Sequence, residues 1–268
     1  MLRLLSRLFV GLGLLTIMSV APAWAQDFVG LYHPLTSKFH LKNSHTAGVA
    51  DVVVQYGPPG SGWTPFGGDW NGDNIDTVAL YNPTTAGFFL RNSNTEGPAD
   101  LAFEYGLAAT GWLPLVGDWD GNGTVTAGVY NPVTGEFLLK NTNAAGPADL
   151  VFQYGPPSAG WIPLAGDWDG DGIDTVGLYD PATSRFLLRN SNSAGPANLV
   201  FQYGPEASGW TPVIGDWDGN GTDTIGLYDQ VRSLFLLRNS NSAGPANLLF
   251  QYGPPGEDWK PIAGHRPP

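Results

Sequence analysis

Gly166-Asp167-Trp168-Asp169-Gly170-Asp171-Gly172-Ile173-Asp174 places four carboxylates at positions 1, 3, 5 and 8 of a glycine-rich loop, counting Asp167 as position 1. Oxygen donors on alternate residues, with glycine where the chain must turn sharply, suit a hard cation such as Ca²⁺. The stretch recurs as GDWNGDNID from Gly68, GDWDGNGTV from Gly117 and GDWDGNGTD from Gly215. Trp70, Trp119, Trp168 and Trp217 therefore return every 49 residues. A fixed period of that size is the mark of a repeat architecture.

Outward from the loop, the unit beginning at Trp161 reads as four short strands with turn chemistry between them. Trp161–Ala165 leads into the acidic loop, and Thr175–Tyr179 leaves it and ends at Asp180-Pro181-Ala182-Thr183. Arg185–Arg189 is followed by Asn190-Ser-Asn-Ser-Ala-Gly-Pro196, and Asn198–Tyr203 is closed by Gly204-Pro205. Period-2 alternation bracketed by Gly, Pro, Asn and Asp is the signature of such strands. Four antiparallel strands of about five residues at this period describe one blade of a β-propeller. The tryptophans that open the first strands (Trp63, Trp112, Trp161, Trp210, Trp259) read as core filling between blades. The same holds for the second-strand tyrosines Tyr32, Tyr81, Tyr130, Tyr179 and Tyr228, and the fourth-strand tyrosines Tyr56, Tyr105, Tyr154, Tyr203 and Tyr252.

The register of the two ends predicts a closed ring. Asp27 stands at loop position 8, one period before Asp76, and Gly264 stands one period after Gly215. The expected fold is an all-β, five-bladed propeller with blades at about 62–106, 111–155, 160–204 and 209–253. A fifth blade combines 258–264 with 27–57, so that no sheet edge is left at the seam. Ahead of it, Arg3 and Arg7, the apolar run Leu8–Val20 and Ala23-Trp24-Ala25 predict a secretory signal over 1–25, with 26–268 as one domain exported from the cell or to the periplasm.

The chain has no cysteine, so an exported form has no disulfides, and bound metal is the expected stiffener of its loops. A formal charge of −12 argues against nucleic acid or an anionic membrane surface as partner. Half of the 24 acidic residues fall in the four loops, so the acidity reads as a property of metal sites. The expected ligands are Asp69, Asn71, Asp73, the Ile75 carbonyl and Asp76 in the first loop; Asp118, Asp120, Asn122 and the Thr124 carbonyl in the second; Asp167, Asp169, Asp171, the Ile173 carbonyl and Asp174 in the third; Asp216, Asp218, Asn220, the Thr222 carbonyl and Asp223 in the fourth. Fewer charges bind calcium more weakly, which orders the sites third, then first and fourth, then second, where Val125 replaces the last acid. The competing reading is an Asp/Asn/Gly turn that caps its own backbone without an ion.

The GDWDGDGIDTVGLYDP stretch and its copies resemble the FG-GAP/VCBS repeats of integrin-like propellers and secreted bacterial proteins. The resemblance covers essentially all of the chain after residue 25. It implies Ca²⁺ in the loop between the first and second strands, and adhesion or carbohydrate recognition more often than catalysis. The chain departs from that pattern at position 9, where the family often has an acid and this sequence has Thr77, Thr126, Thr175 and Thr224.

For function, the sequence predicts a lectin-like binding or adhesion module with a glycan or a cell-surface protein as partner. Candidate ligand contacts are Arg91, Asn92 and Asn94, Arg189, Asn190 and Asn192, and Arg238, Asn239 and Asn241, at the loop between the third and fourth strands. Here too the alternative is that Asn and Ser cap their own turn. A structural or assembly subunit is the second reading and a polysaccharide-active enzyme the third. No HExxH, G-x-S-x-G or phosphate-cradling loop occurs, and His33, His40, His45 and His265 read as solvated surface residues.

Overall fold

The computed structural model describes residues 26–264; the expected signal segment and His265 lie outside them. The described residues form twenty strands. In order these are β1 (Phe28–His33), β2 (Lys38–Lys42), β3 (Val52–Gln55), β4 (Thr64–Gly68), β5 (Thr77–Asn82), β6 (Gly87–Leu90), β7 (Leu101–Glu104), β8 (Leu113–Gly117), β9 (Thr126–Asn131) and β10 (Glu136–Leu139). They continue as β11 (Leu150–Gln153), β12 (Ile162–Gly166), β13 (Thr175–Asp180), β14 (Arg185–Leu188), β15 (Leu199–Gln202), β16 (Thr211–Gly215), β17 (Thr224–Asp229), β18 (Leu234–Leu237), β19 (Leu248–Gln251) and β20 (Lys260–Gly264).

They assemble into five four-stranded antiparallel sheets, the blades of a propeller. Blades 1 to 4 are β4–β7, β8–β11, β12–β15 and β16–β19. The fifth is shared by the two ends of the chain, in the order β20-β1-β2-β3. At that seam Phe28 pairs with Gly264, Gly30 with Ile262 and Tyr32 with Lys260. The inner strands meet in the cyclic order β4, β8, β12, β16, β20 and back to β4, which closes the ring.

Burial grades outward along each blade. The second strand is buried on both faces, as in Thr175-Val-Gly-Leu-Tyr-Asp180, while the fourth alternates between half-buried and exposed. Each second-strand tyrosine faces a third-strand phenylalanine across the pair, at centroid distances of 4.6 to 4.8 Å from Tyr130–Phe137 to Tyr81–Phe88. In four blades a fourth-strand phenylalanine extends the row, as Phe186 on Phe201 at 5.7 Å; in the shared blade Val54 stands there, opposite Phe39. Each such aromatic pair contributes about 0.5–1.5 kcal/mol beyond its buried area. Both tyrosine sets are buried as expected, but of the first-strand tryptophans only Trp259 is fully so. Strand direction alternates, so the acidic loops (first to second strand) and the third-to-fourth loops share one face. The second-to-third turns and the connectors between blades occupy the other.

Candidate metal centre

The acidic loop is held by its own first residue. In the third loop Asp167 Oδ1 accepts from the N–H groups of Gly170 (2.7 Å) and Asp171 (3.1 Å), and Oδ2 from that of Gly172 (2.8 Å). Asp216 does the same for Gly219, Asn220 and Gly221, and Asp118 for Asn122 and Gly123. Position 6 must take a left-handed backbone to present that N–H: Gly172 has φ 84° and, in the first loop, Asn74 has φ 63°. Asparagine tolerates this region better than most residues. Position 5 caps position 7, as Asp171 Oδ1 accepts from the Ile173 N–H at 2.9 Å. The capped turn is therefore real, and it leaves further lone pairs on the same carboxylates.

In the third loop Asp167, Asp169 and Asp171 each bring a carboxylate oxygen within 4.8 Å of the others. The oxygen-only donor set fits a hard cation such as Ca²⁺. The remaining loops bring two carboxylates and one amide to the same positions: Asp69, Asn71 and Asp73; Asp118, Asp120 and Asn122; Asp216, Asp218 and Asn220. Burial leaves its trace in the acidities of two loop carboxyls. Burial, and the nearby Asp120 charge against the Gly123 and Asn122 hydrogen bonds, raise the Asp118 carboxyl above its ordinary value. Burial and the Asp216 charge raise that of Asp218.

Position 8 differs from what its spacing suggests. Asp174 stands outside the group formed by Asp167, Asp169 and Asp171. Its Oδ2 accepts from the N–H of Asp118, in the preceding blade, at 2.7 Å, while its own N–H donates to the Asp118 carbonyl at 2.9 Å. Asp223 brackets Asp167 in the same way and Asp27 brackets Asp216. The Asp76 carboxylate abuts Gly264 at the seam, where an added Cβ would lie 2.5 Å from its Oδ2. The position 8 acids thus link blade to blade. With Val125, and with the inner strands, they line a central channel of about 240 Å³. The position 9 threonines are buried, Thr126 and Thr224 donating to the Gly117 and Gly215 carbonyls.

The third-to-fourth loop lies against the acidic loop. Asn190 Nδ2 donates to Asp169 Oδ2 at 2.8 Å, and Asn192 Nδ2 to the Asp174 carbonyl at 2.8 Å. Asn94 and Asn241 repeat the second bond to the Asp76 and Asp223 carbonyls, and the Asn239 side chain bonds Asp218. The Asn92 backbone N–H donates to the Asp100 carboxylate. Arg189 curls over its own loop, donating to the Ser193 and Ala194 carbonyls and to Ser193 Oγ. Arg238 does likewise, and Arg91 reaches Thr95, Glu96, Pro98 and Asp100. The donors that could read a glycan from these nine positions are largely engaged within the loops themselves.

The histidines correct the expectation of solvated residues. His45 is the repeat equivalent of Asn94, and its Nε2 donates to the Asp27 carbonyl at 2.8 Å. Its ring packs edge-on against Trp217 at 5.7 Å. His33 and His40 flank Trp259 at 4.8 and 5.1 Å. Aligning residue 45 on the 49-residue period would have revealed the first of these roles.

No family model matches the chain, and neither does any curated protein. Among solved structures, one of an Agrocybe aegerita lectin, described as specifically recognising non-reducing terminal N-acetylglucosamine, aligns with 68% of this chain at 18% identity and a TM-score of 0.45. This chain spans 50% of that one. A likeness of that degree carries no argument for function.

Proposed function

We propose that this chain is a calcium-stiffened propeller of the FG-GAP/VCBS kind that acts outside the cytoplasm as a binding module, with a glycan or a cell-surface protein as partner. The observation that carries the metal half is the approach of Asp167, Asp169 and Asp171 within 4.8 Å on a loop already shaped by backbone hydrogen bonds to Asp167. Those residues would hold the ion, which supplies positive charge where three carboxylates otherwise repel one another. The first, second and fourth loops, each with two carboxylates and an amide, offer weaker sites. A site with a dissociation constant of ~10 µM in ~1 mM calcium adds about 2.7 kcal/mol of stability. Metal then does for the loops what disulfides do in other exported proteins.

Calorimetric titration of the chelator-treated protein tests this half; absence of calcium uptake and an unchanged melting temperature would sink it. A glycan array tests the recognition half, with reproducible hits supporting it. The second reading, a structural or assembly subunit, is favoured by one observation: Arg91, Arg189 and Arg238 spend their donors inside their own loops. A blank array together with calcium uptake would select it.

A further inference from the structure

The face opposite the acidic loops breaks its repeat at one junction, between blade 4 and the shared blade. The turn after the second strand carries proline in the shared blade and blades 1 to 3, Pro34, Pro83, Pro132 and Pro181, and Gln230 in blade 4. The connector that enters the first strand carries Gly62, Gly111, Gly160 and Gly209 at φ of 69 to 76°, whereas Asp258 stands at that position in the connector to the shared blade. Asp258 does not adopt the left-handed backbone of those glycines, which is costly for a side chain with a Cβ. The connector therefore follows a different path, and Glu257 precedes it where the other junctions have Ser61, Thr110, Ala159 and Ser208.

These departures converge on one cavity of about 440 Å³, lined by Trp210, Asp229, Gln230, Glu257 and Asp258 together with Ser208. Gly209 and Gly256, also in its wall, have open space where a Cβ would stand. Its polar groups are fixed before any ligand arrives. Gln230 Nε2 donates to Asp258 Oδ1 at 2.9 Å, and Glu257 Oε2 meets His33 Nε2 at 3.0 Å. The buried Asp229 carboxylate is paired with Arg232 at 2.7 Å. Lys260 stands 3.7 Å from Asp258.

We propose that this junction pocket binds a neutral saccharide, with the Trp210 indole as the apolar wall and the Gln230, Glu257 and Asp258 side chains as hydrogen-bonding partners of its hydroxyls. The inference rests on the glycan reading above and deepens it. An anion would meet three carboxylates. A cation would have to compete with Arg232, His33 and Lys260 for carboxylates that already have partners. A polyhydroxyl ligand uses their remaining lone pairs and the amide together, and leaves the pairs intact. The volume falls within the range of small-molecule sites, which combine an apolar wall with a few fixed polar groups.

The test uses the whole protein and a reverted variant, Gln230→Pro/Glu257→Ser/Asp258→Gly, whose residues all occur at the other junctions and so are compatible with the fold. Methyl glycosides of glucose, galactose, mannose and N-acetylglucosamine are titrated while the indole N–H resonance of Trp210 is followed, assigned by its loss in Trp210→Phe. Cadaverine serves as a cationic control. The expected result is a saturable shift with at least one glycoside, weakened tenfold or more in the reverted variant at an unchanged melting temperature. It should also persist in chelator, because the acidic loops lie on the opposite face. A response to cadaverine instead of the glycosides, or one equally strong in the reverted variant, overturns the proposal. Array hits that survive the reversion leave the glycan reading standing and move its site elsewhere; a blank array with no glycoside response removes both.

Discussion

Asp223 and Asp167 hold each other across the boundary between two blades. The Asp223 N–H donates to the Asp167 carbonyl at 2.8 Å, and the Asp167 N–H donates to Asp223 Oδ2 at 2.9 Å. Asp167 also organises the third acidic loop, so the clasp ties the candidate metal centre to its neighbouring blade. Asp174 on Asp118 and Asp27 on Asp216 repeat it, and Val125 keeps only the backbone half, its N–H on the Asp69 carbonyl at 2.7 Å.

Replacing Asp223 by alanine leaves the buried Asp167 N–H without its carboxylate and costs about 1–3 kcal/mol, while Asp223→Asn, which keeps an acceptor, costs less. Urea unfolding with chelator present checks this. A clasp predicts the same loss with and without calcium; a loss seen only with calcium would make Asp223 a ligand instead.

Calcium should raise the melting temperature by about 5–10 °C for each site filled, given about 2.7 kcal/mol per site and about 2–4 °C per kcal/mol for a chain of this size. Asp171→Ala removes one charge from the three-carboxylate group and should weaken the tightest site by roughly tenfold or more. The equivalent change in the second loop, Asn122→Ala, should leave the tightest titration step untouched. Titration calorimetry on the three proteins compares them directly.

What the sequence made legible and what it did not divide along a physical line. The 49-residue spacing of Trp168 and its copies, with proline, glycine and asparagine between short apolar runs, was enough for the blades and the shared closure, because those signals are local or periodic. Strand ends fell within one residue: Trp161–Ala165 was expected and Ile162–Gly166 is found. The side-chain directions were not legible. Asp174 looked like the last ligand of its own loop because nothing local says that Asp118 lies beside it. Arg189 looked available because its curl depends on the conformation of Gly195 (φ 142°). The role of His45 is carried by its place one period before Asn94, a signal that an isolated histidine does not show.

Acid should loosen the seam. Burial lowers the pKa of both His45 and His40, and the Asp27 carbonyl bond only partly opposes this for His45. An unfolded histidine titrates near 6.5, so the unfolded chain takes up these protons first. The stability that the neutral rings contribute is complete above about pH 6.5 and is lost as pH falls through the lower folded values. His45→Asn copies the residue at Asn94, Asn143, Asn192 and Asn241 and keeps a donor for the Asp27 carbonyl. Stability from urea melts at pH 7.5 and pH 5.5 should fall less steeply in this variant than in the parent. An equal slope would remove His45 from the seam's pH response.

Glycine at the third-to-fourth loop separates backbone strain from the packing of arginine. Gly195 and Gly146 both have positive φ, 142° and 129°, so alanine at either incurs a similar backbone cost. Their neighbours differ. A Cβ on Gly195 would lie 2.8 Å from Arg189 Nη2, whereas one on Gly146 would lie 3.6 Å from Lys140 Nζ. Gly195→Ala must displace the guanidinium from carbonyls it now satisfies, and Gly146→Ala need not. Gly195→Ala should therefore cost about 1 kcal/mol more than Gly146→Ala, the net worth of a hydrogen bond or two. Amide exchange at Ser193 and Ala194 should quicken only in the first variant. Equal costs would mean that Arg189 adds nothing to its loop and stands available to a ligand after all.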